Sequence, residues 1–116
     1  MIIWIIGMSG SGKTSLGNEL LSHLDSHEEK WMIMDGDKFR AILGEDTGHS
    51  VEERRKNGER LVNLSLEFSR QGKNLIVCVL SIFPEHLKKN RSLIKDYKEI
   101  YIDFSIENLK KRDNKK

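Results

Sequence analysis

The chain has 116 residues, 37% hydrophobic and 33% charged, with a net charge of +2 and one cysteine. That length suits one domain around a single core; the charge is too slight for nucleic acid to be the main partner, and one cysteine excludes an internal disulfide framework. No stretch approaches the ~20 apolar residues of a membrane-crossing helix, and the apolar N-terminus lacks the basic lead of a secretion signal, so the expectation is a cytoplasmic domain with neither membrane nor nucleic acid as partner.

The first predicted element is a buried strand, Ile2 to Ile6. It runs into Gly7-Met8-Ser9-Gly10-Ser11-Gly12-Lys13-Thr14, which fits the phosphate-binding pattern G-x-x-x-x-G-K-S/T at every fixed position. Leu16, Leu20, Leu21 and Leu24 then mark a helix from Lys13 to Leu24. Strand, glycine loop and helix together give the pattern its meaning. Glycines let successive backbone N–H groups converge on phosphate oxygens, and the helix start adds the positive end of its dipole. Lys13 is then placed to reach the β and γ phosphates, and the Thr14 hydroxyl to ligate Mg²⁺.

A second strand is predicted at Trp31 to Met34, followed by Asp35-Gly36-Asp37 on a glycine turn. Ligands of open α/β sheets gather at the carboxyl ends of strands. Two carboxylates there suit Mg²⁺ coordination by one and proton acceptance from an attacking hydroxyl by the other. A long helix is predicted from Val51 to Gln71, closed by Gly72. Along it Arg54, Asn57, Leu61, Leu64 and Phe68 recur at spacings of 3, 4, 3 and 4 and so share a face. The apolar half of that face points to the core, which sets Arg54 and Asn57 at the sheet edge, where an arginine and an amide suit an anionic nucleotide. Arg55, Lys56, Glu59 and Arg60 read as a solvated charged turn.

The third strand, Leu75 to Leu80, has no polar residue and is expected to be covered on both faces; Cys78 within it reads as a buried, inert thiol. A helix from Glu85 to Lys95, a strand from Ile100 to Ile102 and a last helix from Ile106 to Lys111, capped by Ser105, complete the pattern. Alternating strands and helices imply a parallel sheet with right-handed crossovers.

Taken together, the glycine loop, Asp35-Gly36-Asp37 with Arg40, Asp46-Thr47-Gly48-His49-Ser50, Arg54 with Asn57, and Leu109 with Arg112-Asp113 resemble the adenylylsulfate kinase family over nearly the whole chain. The resemblance implies an α/β, three-layer P-loop NTPase fold, a parallel sheet flanked by helices, as a single domain over 1–116. It implies ATP and Mg²⁺, with transfer of the γ-phosphoryl to the ribose 3′-hydroxyl of a nucleotide. Residues Gly7 to Ser15 (Gly7, Met8, Ser9, Gly10, Ser11, Gly12, Lys13, Thr14, Ser15) and Arg112 would hold ATP, and Thr14 with Asp35 the metal. Asp37 is the expected base or positioner, with Lys13 as its catalytic companion. Asp35, Asp37, Arg40, His49, Arg54, Asn57 and Ile82 would meet the acceptor. A homodimer stays open.

The chain also departs from the family. His49 stands where a phenylalanine usually stacks on the substrate base. Ser81-Ile82-Phe83-Pro84-Glu85 replaces a Ser-Pro-Tyr-Arg stretch, with Glu85 near the place of its arginine, and Glu59 replaces the first of a pair of arginines. The last two changes remove two positive charges and add two negative ones. A changed base would call for a changed stacking residue, so a kinase of CDP-phosphoramidate, from the capsule-modifying branch, is the alternative to adenylylsulfate. The sequence stops at Lys116, before the Gly-Leu-Tyr segment, the fifth strand, the final helix and part of the adenine pocket that the family carries. A natural short form, a truncated product and a fragment all fit, and a nucleotide-binding module without turnover is the rival to a kinase. A phosphate-loop switch lacks support, since no Asn-Lys-x-Asp motif is present.

Overall fold

The computed structural model describes residues 1–8, 12–42, 50–80 and 83–102. Its elements in chain order are β1 (Ile2–Ile6), α1 (Lys13–Leu24), β2 (Trp31–Asp35), α2 (Gly36–Ile42), α3 (Val51–Arg70), β3 (Asn74–Val79), α4 (Pro84–Leu93) and β4 (Tyr97–Tyr101). The four strands form one parallel sheet in the order β2-β3-β1-β4. β1 and β3 are the inner pair, and all five residues of β1 are buried. That is why their sequences run apolar without alternation: both faces are covered.

Period-two geometry divides those runs between two cores. Ile2, Trp4 and Ile6 join Leu75, Val77 and Val79 under Leu61 and Val62 of α3, with Phe39 of α2 and Leu87 of α4 packed alongside. Ile3, Ile5, Ile76 and Cys78 face the other way, against Leu16, Leu20, Leu21 and Leu24 of α1. The result is three layers, with α1 on one face and α2, α3 and α4 on the other. A buried hydrogen bond crosses from β1 to α3: the Trp4 indole N–H donates to Ser65 Oγ at 3.0 Å, and that hydroxyl donates to the Leu61 carbonyl at 2.8 Å.

Several boundaries differ from the sequence reading. Asp35-Gly36-Asp37 is not a bare turn, because Gly36 begins the short helix α2; the Asp35 carboxylate accepts the Asp37 N–H at 2.8 Å and so caps it. The buried stripe of α3 is Asn57, Gly58, Leu61, Val62 and Ser65, rotated from the expected one, with Leu64 and Phe68 only half-buried. Small residues at 58 and 65 let the helix lie close, a signal that counting apolar residues overlooks. β4 starts at Tyr97, earlier than expected, because this edge strand carries polar Lys98 and Glu99 in place of an apolar run. α4 starts at Pro84, whose ring suits the first turn. Gly72 does close α3, at φ 69°. The predicted helix Ile106 to Lys111 and its Ser105 cap lie outside the described residues.

Candidate active site

The chain leaves β1 toward one side of the sheet and β3 toward the other, so a crevice opens at their carboxyl ends. Gly7 is buried there, its N–H donating to the Val79 carbonyl at 3.3 Å. Gly12 holds φ 95°, a left-handed conformation that side chains resist, and it launches α1 with no side-chain cap on the helix start. The first amides of α1 therefore remain available to an anion. Lys13 Nζ donates to the carbonyl of the exposed Met8 at 3.1 Å.

The Thr14 hydroxyl donates to Asp35 Oδ2 at 2.9 Å, while Asp35 Oδ1 takes the Asp37 N–H. One carboxylate ties the start of α1 to the start of α2. Thr14 and Asp35 are hard oxygen donors side by side, and Mg²⁺ is ordinarily held by one or two protein oxygens, with phosphates and water completing the shell. These two residues fit such an ion. Asp37 extends outward, its side chain 92% exposed, with Arg40 Nη1 at 3.9 Å. Arg40 is far more enclosed, at 13%.

A cavity of about 650 Å³ joins these groups: Gly12, Lys13, Thr14, Ser15, Asp35, Asp37, Arg40, Arg54 and Asn57 all line it. Among the described residues predicted for the site, Gly7 and Met8 do not line the cavity, and Met8 reaches it only through its bond to Lys13. Ser9, Gly10, Ser11, His49, Ile82 and Arg112 lie outside the described residues. Arg54 lines the cavity while staying exposed, and Asn57 is 8% exposed.

The same wall holds residues that sequence reasoning passed over: Gly58, Phe83 and His86. Part of their signal was available, since Phe83 and His86 lie within seven residues of the carboxyl end of β3 at Val79, near the kind of place that singled out Asp35 and Asp37. Arg55 also departs from the expected solvated turn. It pairs with Glu85 and lies 4.4 Å from the Phe83 ring centre. Glu85 is therefore neutralised locally, and the charge reversal inferred from its position is smaller in the folded chain. His86 is 3% exposed, and burial lowers its pKa, with Glu59 opposing and Arg55 and Lys89 reinforcing the shift. Cys78, whose Sγ lies 3.5 Å from the Lys13 carbonyl, has its thiol pushed up to about 11 by burial, then by the Asp35 charge, against the pull of Lys13. The expectation of an inert thiol agrees with that environment.

A parallel α/β sheet with a glycine loop, a Lys-Thr pair and carboxylates converging at its strand ends defines a phosphate-loop, nucleotide-binding domain. The model of the adenylylsulphate kinase family matches residues 1–116, and the chain belongs to that family. The probable adenylyl-sulfate kinase of Bacillus subtilis is 32% identical over 116 residues, covering 98% of this chain and 59% of that protein. The cytidine diphosphoramidate kinase of Campylobacter jejuni is 34% identical over 114 residues, covering 98% and 66%. Among solved structures, the Mycobacterium tuberculosis APS kinase CysC in complex with AMPPNP and APS superposes with a TM-score of 0.80 at 28% identity, covering 98% of this chain and 68% of that one. The chain thus spans about three fifths of the Bacillus relative it matches.

Proposed function

We propose that the chain carries the phosphate-binding and acceptor-binding part of an ATP-dependent kinase, which moves the γ-phosphoryl of ATP to the ribose 3′-hydroxyl of a nucleotide such as adenylylsulfate. The observation that supports this most is the single cavity shared by Lys13, Thr14, Asp35, Asp37, Arg54 and Asn57. Phosphoryl transfer needs alignment and charge neutralisation more than covalent chemistry, and these residues offer both. ATP with Mg²⁺ supplies the phosphoryl group and the counter-charge when bound. Lys13 and the first amides of α1 hold polyphosphate oxygens, and Thr14 and Asp35 hold the ion. Asp37, carried on the first turn of α2, accepts the proton as the acceptor oxygen bonds to phosphorus and the bond to the bridging oxygen breaks. Arg40, Arg54 and Asn57 orient the acceptor.

A second acceptor, CDP-phosphoramidate, is favoured by the Campylobacter relative, which is named for a cytidine substrate and is as similar as the adenylyl-sulfate kinases. The two readings place the protein in sulfate assimilation or in capsule modification, in either case a cytoplasmic role. A panel of adenylylsulfate and CDP-linked nucleotides with ATP and Mg²⁺ separates them by which acceptor becomes phosphorylated. ATP binding with no product from any acceptor would instead mark a nucleotide-binding module.

A further inference from the structure

Among the described residues, four buried side-chain atoms have no hydrogen-bond partner: Trp31 Nε1, Asn57 Oδ1, His86 Nε2 and Asn90 Oδ1. Buried polar atoms are ordinarily satisfied, and each exception calls for a reason. Two of the four, on Asn57 and His86, belong to residues lining the cavity that Lys13 and Thr14 also line. They come from different elements, α3 and α4, and the packing between those helices brings them together.

That packing depends on Gly58. A Cβ there would stand 2.5 Å from both Cε1 and Nδ1 of His86, closer than any side chain tolerates. The imidazole lies against bare backbone, on the helical turn that carries Asn57. Phe83 fixes its other side, with ring centres 5.2 Å apart at 62°, and Arg55 sits over Phe83. Gly58 and Phe83 thus hold the ring on the wall of the cavity, with Arg55 backing Phe83. The carboxamide and the imidazole are neutral groups. They suit a neutral, donor-bearing part of a ligand, whereas its anionic parts are drawn to Lys13, Arg40 and Arg54.

We propose that His86, admitted by Gly58, and Asn57 form the specificity-determining wall of the acceptor subsite, reading a planar heteroaromatic base that carries an exocyclic amine. This rests on the kinase reading above and deepens it. Asn57 Oδ1 accepts from the amine, and His86 Nε2 completes its own bonding at the ring edge of the base. His86 selects and positions the acceptor and takes no part in the proton transfer at Asp37.

The test uses the full chain with ATP, Mg²⁺ and paired acceptors whose bases have or lack the amine: adenylylsulfate against its inosine counterpart, and the cytidine nucleotide against its uridine counterpart. The wild type should prefer the amine-bearing member. His86→Leu should raise KM for that member about three- to tenfold, the cost of a lost neutral hydrogen bond, and bring the preference toward unity, with KM for ATP unchanged. His86→Gln, which keeps a polar tip, should recover much of the preference. Gly58→Ala, which displaces the ring, should act like His86→Leu and serves in its place if that variant fails to fold. Turnover by a wild type with no preference within either pair, or variants that lose kcat and thermal stability while keeping the preference, would overturn the proposal and leave the kinase reading standing. A wild type that binds ATP but phosphorylates no acceptor would overturn both.

Discussion

Lys13 and Asp37 line one cavity but are built for different tasks, and substitution should separate them. The Lys13 ammonium is anchored by the Met8 carbonyl. Lys13→Ala should weaken ATP binding, seen as a higher dissociation constant in calorimetry. Asp37 is exposed, with its backbone fixed by Asp35. Asp37→Asn keeps that backbone contact and removes only the carboxylate proposed to accept the proton. It should lower kcat by about 10²–10⁴ while ATP affinity holds, and unchanged turnover would remove Asp37 from the chemistry. Cys78 gives a third residue-scale expectation. With its thiol held near 11, alkylation at pH 8 should be far slower in the folded chain than in urea; equal rates would mean that β3 opens readily.

At the scale of elements, α1 and α3 clamp the sheet from opposite faces by close approach. Gly17 faces Cys78 Sγ at 2.7 Å and Ile33 Cδ1 at 2.8 Å from where a Cβ would stand. Gly17→Ala should therefore destabilise by about 1–3 kcal/mol through overpacking, measured by urea unfolding. On the other face, Ser65→Ala leaves the Trp4 indole N–H buried without a partner. The expected loss is again about 1–3 kcal/mol, with the midpoint shifted and the denaturant slope unchanged. The capping of α3 by Ser50, which accepts the Glu53 N–H at 3.1 Å, is worth about 1 kcal/mol by the same measurement on Ser50→Ala.

For the molecule as a whole, two buried titratable groups set opposite limits on pH. His86 has a folded pKa below its ordinary 6.5. The unfolded chain therefore binds the proton more readily, and stability falls as pH drops below 6.5. Cys78 has a folded pKa raised from 9.0 to about 11. The unfolded chain ionises first, and stability falls as pH rises through that interval. Thermal unfolding followed from pH 5 to pH 10 should show both declines, and His86→Gln should flatten the acid side alone.

The layered fold was legible because β1 and β3 must be covered on both faces and so run apolar, and because Leu16, Leu20, Leu21 and Leu24 repeat at helical spacing. The setting of Lys13 and Thr14 was legible for a local reason, since they stand where the chain passes from β1 into α1. What the amino-acid order could not reveal was which side chains from distant segments meet. The pairing of Arg55 with Glu85, the seating of His86 on Gly58 and the rotation of the α3 stripe are set by helix-to-helix distance, which depends on small residues that carry no hydrophobic signal. Local chemistry was written in the sequence; the company each side chain keeps was decided only when the two helical layers closed over the sheet.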